Sequence, residues 1–183
     1  MEYNQPSQIV KNLDYGLNAK RKIIDGVDKL NNAVKSTLGA SGKCVIYEDA
    51  LGKPVITKDG VTVAQSVVLY DPVENIGATL IKEAANNTVK EAGDGTTTAT
   101  VLAHSLLTIA EEYEKENQRE VKEGIRSGTD KVIAHLEKQS IKVTDDLLSQ
   151  VATISTNNDE ELGGIIAEAY KQVGKDGIVL MEG

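Results

Sequence analysis

The stretch Gly93-Asp94-Gly95-Thr96-Thr97-Thr98-Ala99-Thr100 places a glycine-containing loop directly before a helical pattern. Apolar residues follow at helical spacing, namely Val101, Leu102, Leu106, Ile109, Ala110 and Tyr113. The loop is therefore predicted to open a helix. A helix start presents unpaired backbone N–H groups and the positive end of the helix dipole, so it favours an anion such as phosphate.

The side chains of this loop suit a phosphate that is bound to magnesium. Asp94 offers a carboxylate that a hard cation binds together with phosphate oxygens. The threonine hydroxyls can cap the helix or bond phosphate oxygens. An ordinary glycine-rich turn with a threonine cap is the alternative interpretation, and chemistry alone leaves both open. Three consecutive threonines favour phosphate.

Two further glycine-bearing segments precede this loop, Thr37-Leu38-Gly39-Ala40-Ser41-Gly42 and Ile56-Thr57-Lys58-Asp59-Gly60-Val61. In this order and at this spacing, the three motifs resemble the N-terminal part of a group I chaperonin of the GroEL or Hsp60 type. The resemblance runs from about Leu17 to Gly183. It implies that these residues correspond to roughly the first third of such a subunit and stop where the substrate-binding domain of the family would begin.

The periodicity predicts a mainly helical protein with one hairpin. Apolar residues from Ile23 to Leu38 indicate a long amphipathic helix, and a second helix is predicted from Pro72 to the Gly93 loop. Cys44 to Tyr47 and Pro54 to Thr57 are typical of two short strands. Cys44 is expected to pack in the first strand as a small hydrophobe.

The pattern changes to shorter units after about Ser140. A short helix near Asp146 to Val151, a helix from Glu160 to Val173 and a strand at Ile178 to Met181 are predicted. By resemblance, residues 1–140 are the N-terminal part of an equatorial ATP-binding domain. Residues 141–183 are then the first limb of an incomplete α+β intermediate domain.

The resemblance also assigns roles in a site for ATP and Mg²⁺. Asp94 would hold the metal, and the phosphates would lie among Gly95, Thr96, Thr97 and Thr98. Further cofactor contacts are expected from Thr37, Leu38, Gly39, Ala40, Lys58, Gly60 and Ile154. Ala40 stands where the family usually has proline, which leaves that loop less rigid. Asp59 would lie near the attacking water as the catalytic residue; alternatively it caps the short helix at Val61.

The resemblance implies an ATP-hydrolysing chaperonin subunit that assembles into a homo-oligomeric ring. Its partners would be unfolded proteins, bound through an apical domain outside these residues, and a co-chaperonin. A chaperonin-like protein without ATPase activity that associates with full-length subunits is the alternative, and a piece of a longer protein is a third. The 183 residues alone are expected to be inactive, with apolar faces such as Leu80, Ile81 and Val101 lacking partners.

Composition excludes several other classes. The net charge of -8 argues against nucleic acid and anionic membranes as partners, and Lys20-Arg21-Lys22 is expected on a solvated helix face. No apolar segment approaches about 18 residues, and Met1 to Gln8 lacks the apolar core of a signal peptide, so a cytoplasmic protein is expected. His104 and His135 have no spacing typical of a metal site.

Other nucleotide-binding loops do not fit this chain. A Walker A loop is excluded because Gly42-Lys43 follows Thr37, where that motif requires glycine, and precedes Cys44, where it requires serine or threonine. No Gly-x-Gly-x-x-Gly follows a predicted strand, so a Rossmann fold is excluded as well.

Overall fold

A computed structural model describes residues 12–39, 41–156, 158–174 and 177–180. The helices are α1 (Gly16–Lys35), α2 (Gly60–Ser66), α3 (Pro72–Ala92), α4 (Thr96–Glu112), α5 (Gln118–Gln139), α6 (Asp145–Ser155) and α7 (Glu160–Val173). The strands are β1 (Val45–Glu48) and β2 (Pro54–Thr57), which pair antiparallel. The prediction of a mainly helical fold with a small hairpin is confirmed.

The chain divides into two compact units, and the junction lies between Val121 and Lys122, inside α5. The first unit contains α1 to α4 and the hairpin, and the second contains most of α5 together with α6 and α7. The domain boundary between residues 140 and 141 rests on the family resemblance and stays a prediction.

Helix α1 packs against α2, α3 and α4 and forms the centre of the first unit. The buried cluster comprises Val27, Leu30, Val34, Val63, Ala64, Ala78 and Ile81. Adjacent positions on α3 differ sharply, since Leu80 is 53% exposed and Ile81 only 2%. The expectation that Ile81 lacks a packing partner is therefore wrong, because its side chain faces α1 and α2 within this cluster rather than the outer side of α3.

Two glycines allow α1 and α3 to cross with their backbones in contact. A methyl group built on Gly26 would lie 1.9 Å from the carbonyl oxygen of Glu74. One built on Gly77 would lie 2.0 Å from the carbonyl oxygen of Ile23. Any side chain at either position would therefore force the two helices apart.

The basic run in α1 is partly paired rather than simply solvated. Lys20 Nζ lies 3.0 Å from Glu114 Oε1, beyond the end of α4, and Lys22 Nζ lies 2.7 Å from Asp71 Oδ2 at the start of α3. Arg21 between them is exposed. Two of the three cations thus link α1 to neighbouring segments, with the modest stabilisation typical of exposed pairs.

The hairpin aligns Ile46 of β1 with Ile56 of β2. Both side chains are largely exposed, so this face of the hairpin is apolar and uncovered by the described residues. Cys44 precedes β1 and is exposed. The expectation that Cys44 packs within the strand is wrong, because β1 begins one residue later and the thiol faces solvent.

In the second unit, α6 and α7 form a closely packed pair. A methyl group built on Gly163 would lie 2.5 Å from Thr153 Oγ1, and Ala152 and Ala167 are buried. Helix α7 has its predicted bounds. Its N-cap is Asp159, whose carboxylate accepts a hydrogen bond from the Leu162 N–H at 2.9 Å. Residues 178–180 do not form the predicted strand, and Met181 lies outside the described residues.

Apolar side chains remain exposed on the outer faces of α4 and α5. Leu102, Leu106 and Ile109 of α4 are exposed, and Val101 is partly buried. Helix α5 contributes no buried residue. Within the described ranges, no helix is long and apolar enough to cross a membrane.

The α1–α3 crossing predicts that Gly77→Ala destabilises the first unit by about 1–3 kcal/mol, because the new methyl group overlaps a backbone carbonyl. Urea unfolding followed by circular dichroism measures the change. Gly124→Ala is the matched control, since a methyl group there contacts nothing within 4 Å. In an exposed helix the control is expected to gain about 0.5–1 kcal/mol. Equal effects of the two variants would contradict the crossing geometry.

Candidate functional site

Helix α4 begins without a side-chain cap. Gly93, at the end of α3, and Gly95, the N-cap of α4, both have left-handed backbone conformations, with φ of 75° and 84°. Within the described residues no side chain caps this helix start, and the first helical bond runs from the Ala99 N–H to the Gly95 carbonyl. The threonine-cap interpretation is therefore wrong. The N–H groups at an uncapped helix start can donate hydrogen bonds to an anion.

Asp94 lies exposed between the two glycines. Its Oδ1 accepts a hydrogen bond from the Gly95 N–H at 2.6 Å, which orients the carboxylate at the helix start. Among the described residues there is no group of three or more His, Cys, Asp or Glu side chains that could hold a metal. A single carboxylate fits magnesium held jointly with substrate phosphates, because Mg²⁺ commonly binds one or two carboxylates and completes its shell with phosphate and water.

The three threonines of the motif have different surroundings. Thr96 is only 8% exposed, Thr97 is partly buried and Thr98 is exposed. The fully buried Thr100 donates its hydroxyl hydrogen bond to the Thr96 carbonyl at 2.9 Å. Thr98 is therefore the most exposed of the three threonines.

Gly60, at the start of α2, lies against residues of both α4 and α1. A methyl group built on Gly60 would lie 2.0 Å from Thr97 Oγ1 and 3.4 Å from Val34 Cγ1. Thr97 belongs to the first turn of α4, and Val34 lies at the end of α1, just before the Thr37 loop. The absence of a side chain at Gly60 thus places the Lys58-Asp59-Gly60 segment against the start of α4.

Asp59 is the N-cap of α2. Its carboxylate accepts hydrogen bonds from the Val61 N–H at 3.3 Å, the Thr62 N–H at 3.0 Å and the Thr62 hydroxyl. Partial burial acts to raise the pKa of Asp59, but these three hydrogen bonds outweigh it and hold the pKa below its usual value. Asp59 is therefore ionised at neutral pH, and its Oδ1 retains the capacity to accept from a water molecule.

The remaining predicted contacts of the first unit are Lys58 and the loop after α1. Lys58 is exposed and forms no ion pair with any residue the structure describes. The loop after α1 is closed by a hydrogen bond from the Lys43 N–H to the Ser36 carbonyl at 2.8 Å. Thr37 donates its hydroxyl hydrogen bond to the Val34 carbonyl at 2.8 Å, and Gly39 has a φ of 76°. Leu38 is exposed, and Ala40 lies outside the described residues.

Ile154 belongs to the second unit. It lies on α6, is 68% exposed, and lines a shallow groove with Ser149, Gln150, Thr153 and Glu160. Its assignment as a cofactor contact stays a prediction.

One contact between α1 and α4, the pair of His104 and Asp28, could not be predicted from the sequence. His104 Nε2 of α4 lies 2.6 Å from Asp28 Oδ1 of α1, and the two residues are 76 positions apart. Spacing signals relate neighbours on one helix, so no local pattern could have found this pair. The contact joins the helix behind the Gly93 loop to the helix before the Thr37 loop.

Comparisons with known proteins agree with the fold and with the motifs. The sequence model of the TCP-1/cpn60 chaperonin family matches residues 30–181. Among solved structures, the chain is similar to the chaperonin gp146 from the bacteriophage EL 2 (Pseudomonas aeruginosa), crystallised in the presence of ATP-BeFx in two crystal forms. For each form the TM-score is 0.76 and the sequence identity 33%, over 86% of this chain and 28% of the phage protein.

The chain therefore belongs to the TCP-1/cpn60 chaperonin family, as the GroEL-like resemblance predicted. It spans 28% of the phage chaperonin's length. The roles of individual site residues stay predictions.

The cap geometry predicts that Asp59→Ala costs about 1 kcal/mol of unfolding free energy at pH 7. Because the folded-state pKa of Asp59 is lowered, this stabilisation is present above its unfolded pKa of about 3.9 and is lost as pH falls through the folded value. Urea unfolding at pH 7 and at about pH 2 measures the difference. Asp59→Asn is the control, since its amide oxygen still caps the helix. An Asp59→Ala effect of the same size at both pH values would contradict the lowered pKa.

Proposed function

We propose that this chain is the nucleotide-binding N-terminal portion of an ATP-dependent chaperonin subunit. The observation that carries the proposal is the uncapped start of α4, which lies beside Asp94 and is packed through Thr97 on the Lys58-Asp59-Gly60 segment. Family membership and the ATP-BeFx in the phage crystals support the same assignment.

Each side chain near this helix start has a distinct task in the proposed reaction, which is transfer of the terminal phosphoryl group of ATP to water. The N–H groups at the start of α4 and the Thr98 hydroxyl bind phosphate oxygens, and Lys58 adds a positive charge. Asp94 binds magnesium together with the phosphates. Asp59 accepts a hydrogen bond from the attacking water and orients it. Magnesium, when bound, neutralises charge that develops on the phosphates.

For the complete protein we propose the setting that the family implies. Hydrolysis drives rigid-body changes in a homo-oligomeric ring, and these changes assist the folding of other proteins. Unfolded proteins and a co-chaperonin are the proposed partners, and the cytoplasm is the proposed location. No role in binding nucleic acid or membranes is proposed.

A chaperonin-like protein that binds nucleotide weakly or not at all, lacks ATPase activity and acts by association with full-length subunits is the second candidate. The observation that favours it is the row of exposed apolar side chains along α4, at Leu102, Leu106 and Ile109. Uncovered aliphatic surface of this kind is typical of a face that another segment or chain covers. The two candidates differ both in turnover and in the strength of nucleotide binding.

Asp94→Ala is expected to weaken binding of Mg-ATP to the 183-residue chain about tenfold, equivalent to about 1.4 kcal/mol. The physical reason is the loss of the carboxylate that binds magnesium, whereas the exposed side chain contributes no core packing. Isothermal titration calorimetry with ATP, in magnesium and in EDTA, measures the effect.

Asp130→Ala removes an exposed carboxylate from α5 and is the control for net charge. The variant Asp94→Ala is expected to keep the unfolding midpoint of the wild type and to bind ATP equally in magnesium and in EDTA. A wild type that does not bind Mg-ATP, or an Asp94→Ala variant that binds it normally, would show that the site is wrongly assigned.

The 183-residue chain alone is expected to release no phosphate from Mg-ATP above the buffer blank. In the family an aspartate from a later part of the intermediate domain activates the water, and general-base catalysis contributes about two to four orders of magnitude. A phosphate-release assay combined with size-exclusion chromatography tests this, and the exposed faces of α4 are expected to cause self-association. Turnover from a monodisperse monomer would instead indicate that Asp59 is itself the base.

A further inference from the structure

Helix α2 has seven residues, and Asp59 is the N-cap residue at its N-terminal end. Its C-terminal end is held by a residue of another helix. Lys82 of α3 donates a hydrogen bond from Nζ to the carbonyl oxygen of Val67, the C-cap of α2. Because a short helix moves as one body, a contact at one end constrains the position of the other.

The environment of Lys82 differs from that of an ordinary surface lysine. The side chain is partly buried, and it forms no ion pair with any described carboxylate. Burial lowers the pKa of its amine. The ammonium group is directed at a helix C-terminus, where the exposed carbonyls carry partial negative charge and favour a cation. The amine of Lys82 therefore binds the main chain at the end of α2 and does not simply extend into solvent.

The N-terminal end of α2 is closely packed, so the helix has little room to shift there. Gly60 is packed against Thr97 and Val34 so closely that a methyl group would not fit. Beyond Val67, the chain is fixed again where the Leu69 N–H donates to Asn75 Oδ1 at 3.0 Å. Between these points, Lys82 is the residue of α3 that binds the main chain at the end of α2.

We propose that Lys82 is a positioning residue that holds Asp59 at the start of α4 by binding the opposite end of α2. The inference rests on the proposed function only for the task that Asp59 performs there. Lys82 itself does not touch nucleotide, and its effect is transmitted through the backbone of α2.

The test compares Lys82→Met, which keeps the apolar stem and removes the amine, with Lys82→Arg, which restores a cationic donor. Lys131→Met, on the exposed surface of α5, is the control for loss of a lysine. Hydrogen exchange of the Val63 amide is the first measurement, because this amide forms the first helical bond of α2, to the Asp59 carbonyl at 3.0 Å. The titration of the Asp59 carboxylate, followed by NMR, is the second.

Lys82→Met is expected to increase Val63 exchange about tenfold, because it leaves the Val67 carbonyl without its donor. Exchange at Leu30 in the α1 core is expected to stay unchanged. The midpoint of the Asp59 titration is expected to rise toward its ordinary value, since the hydrogen bonds that lower it come from the first turn of α2. Lys82→Arg restores both properties, and Lys131→Met changes neither.

Uniformly faster exchange at Val63 and Leu30, with an unchanged Asp59 titration, would overturn the proposal, because Lys82 would then stabilise the unit as a whole. Unchanged Val63 exchange would overturn it as well. Neither measurement requires nucleotide. The two hypotheses can therefore fail separately. If the wild type does not bind Mg-ATP in calorimetry, the proposed function is refuted. If Lys82→Met leaves Val63 exchange and the Asp59 titration unchanged, the positioning role is refuted.

Discussion

The contact between Gly60 and Thr97 is the constraint on which the candidate site depends. Residues of three helices that are remote in sequence meet there, namely Val34 of α1, Gly60 of α2 and Thr97 of α4. The contact has no space for even a methyl group, because Thr97 Oγ1 would lie 2.0 Å from it. A tight contact of this kind fixes distance more narrowly than a flexible polar contact does, since packed atoms resist compression steeply. The backbone of α2 is thereby held against the first turn of α4.

The first unit uses the same device, close backbone contact at glycine, for both stability and function. At Gly26 and Gly77 it brings α1 against α3, and this pair forms the frame on which α4 packs. At Gly60 it joins the short helix α2 to that frame. The polar groups of the site are then placed at helix ends, where backbone N–H groups are unpaired and the helix dipole favours bound anions. The tightly packed glycine contacts thus lie next to the helix ends that carry unpaired N–H groups.

The geometry of these residues suits the proposed phosphate binding better than it suits proton abstraction. Asp94 is exposed and the start of α4 has no side-chain cap, whereas the carboxylate of Asp59 already accepts three hydrogen bonds as a helix cap. A carboxylate occupied in this way is ionised and well oriented, which suits placement of a water molecule. It is less suited to proton abstraction, because a lowered pKa makes a weaker base. The chain spans 28% of the phage chaperonin's length.

Local chain chemistry alone determined the elements and the motifs of this protein. Asp71 with Pro72, and Asp159, begin helices at the predicted positions, since caps and proline act on their own neighbours. Glycine loops and apolar periodicity likewise identified the helix start at Gly95 and the GroEL-like resemblance. Only tertiary packing decided that Ile81 is buried beside an exposed Leu80 and that Cys44 faces solvent. The same holds for three contacts between elements: Lys82 with the end of α2, His104 with Asp28, and Gly60 with Thr97. These contacts join residues far apart in the chain, and a periodic pattern gives the direction of a side chain relative to its own helix but not the identity of the element that it meets.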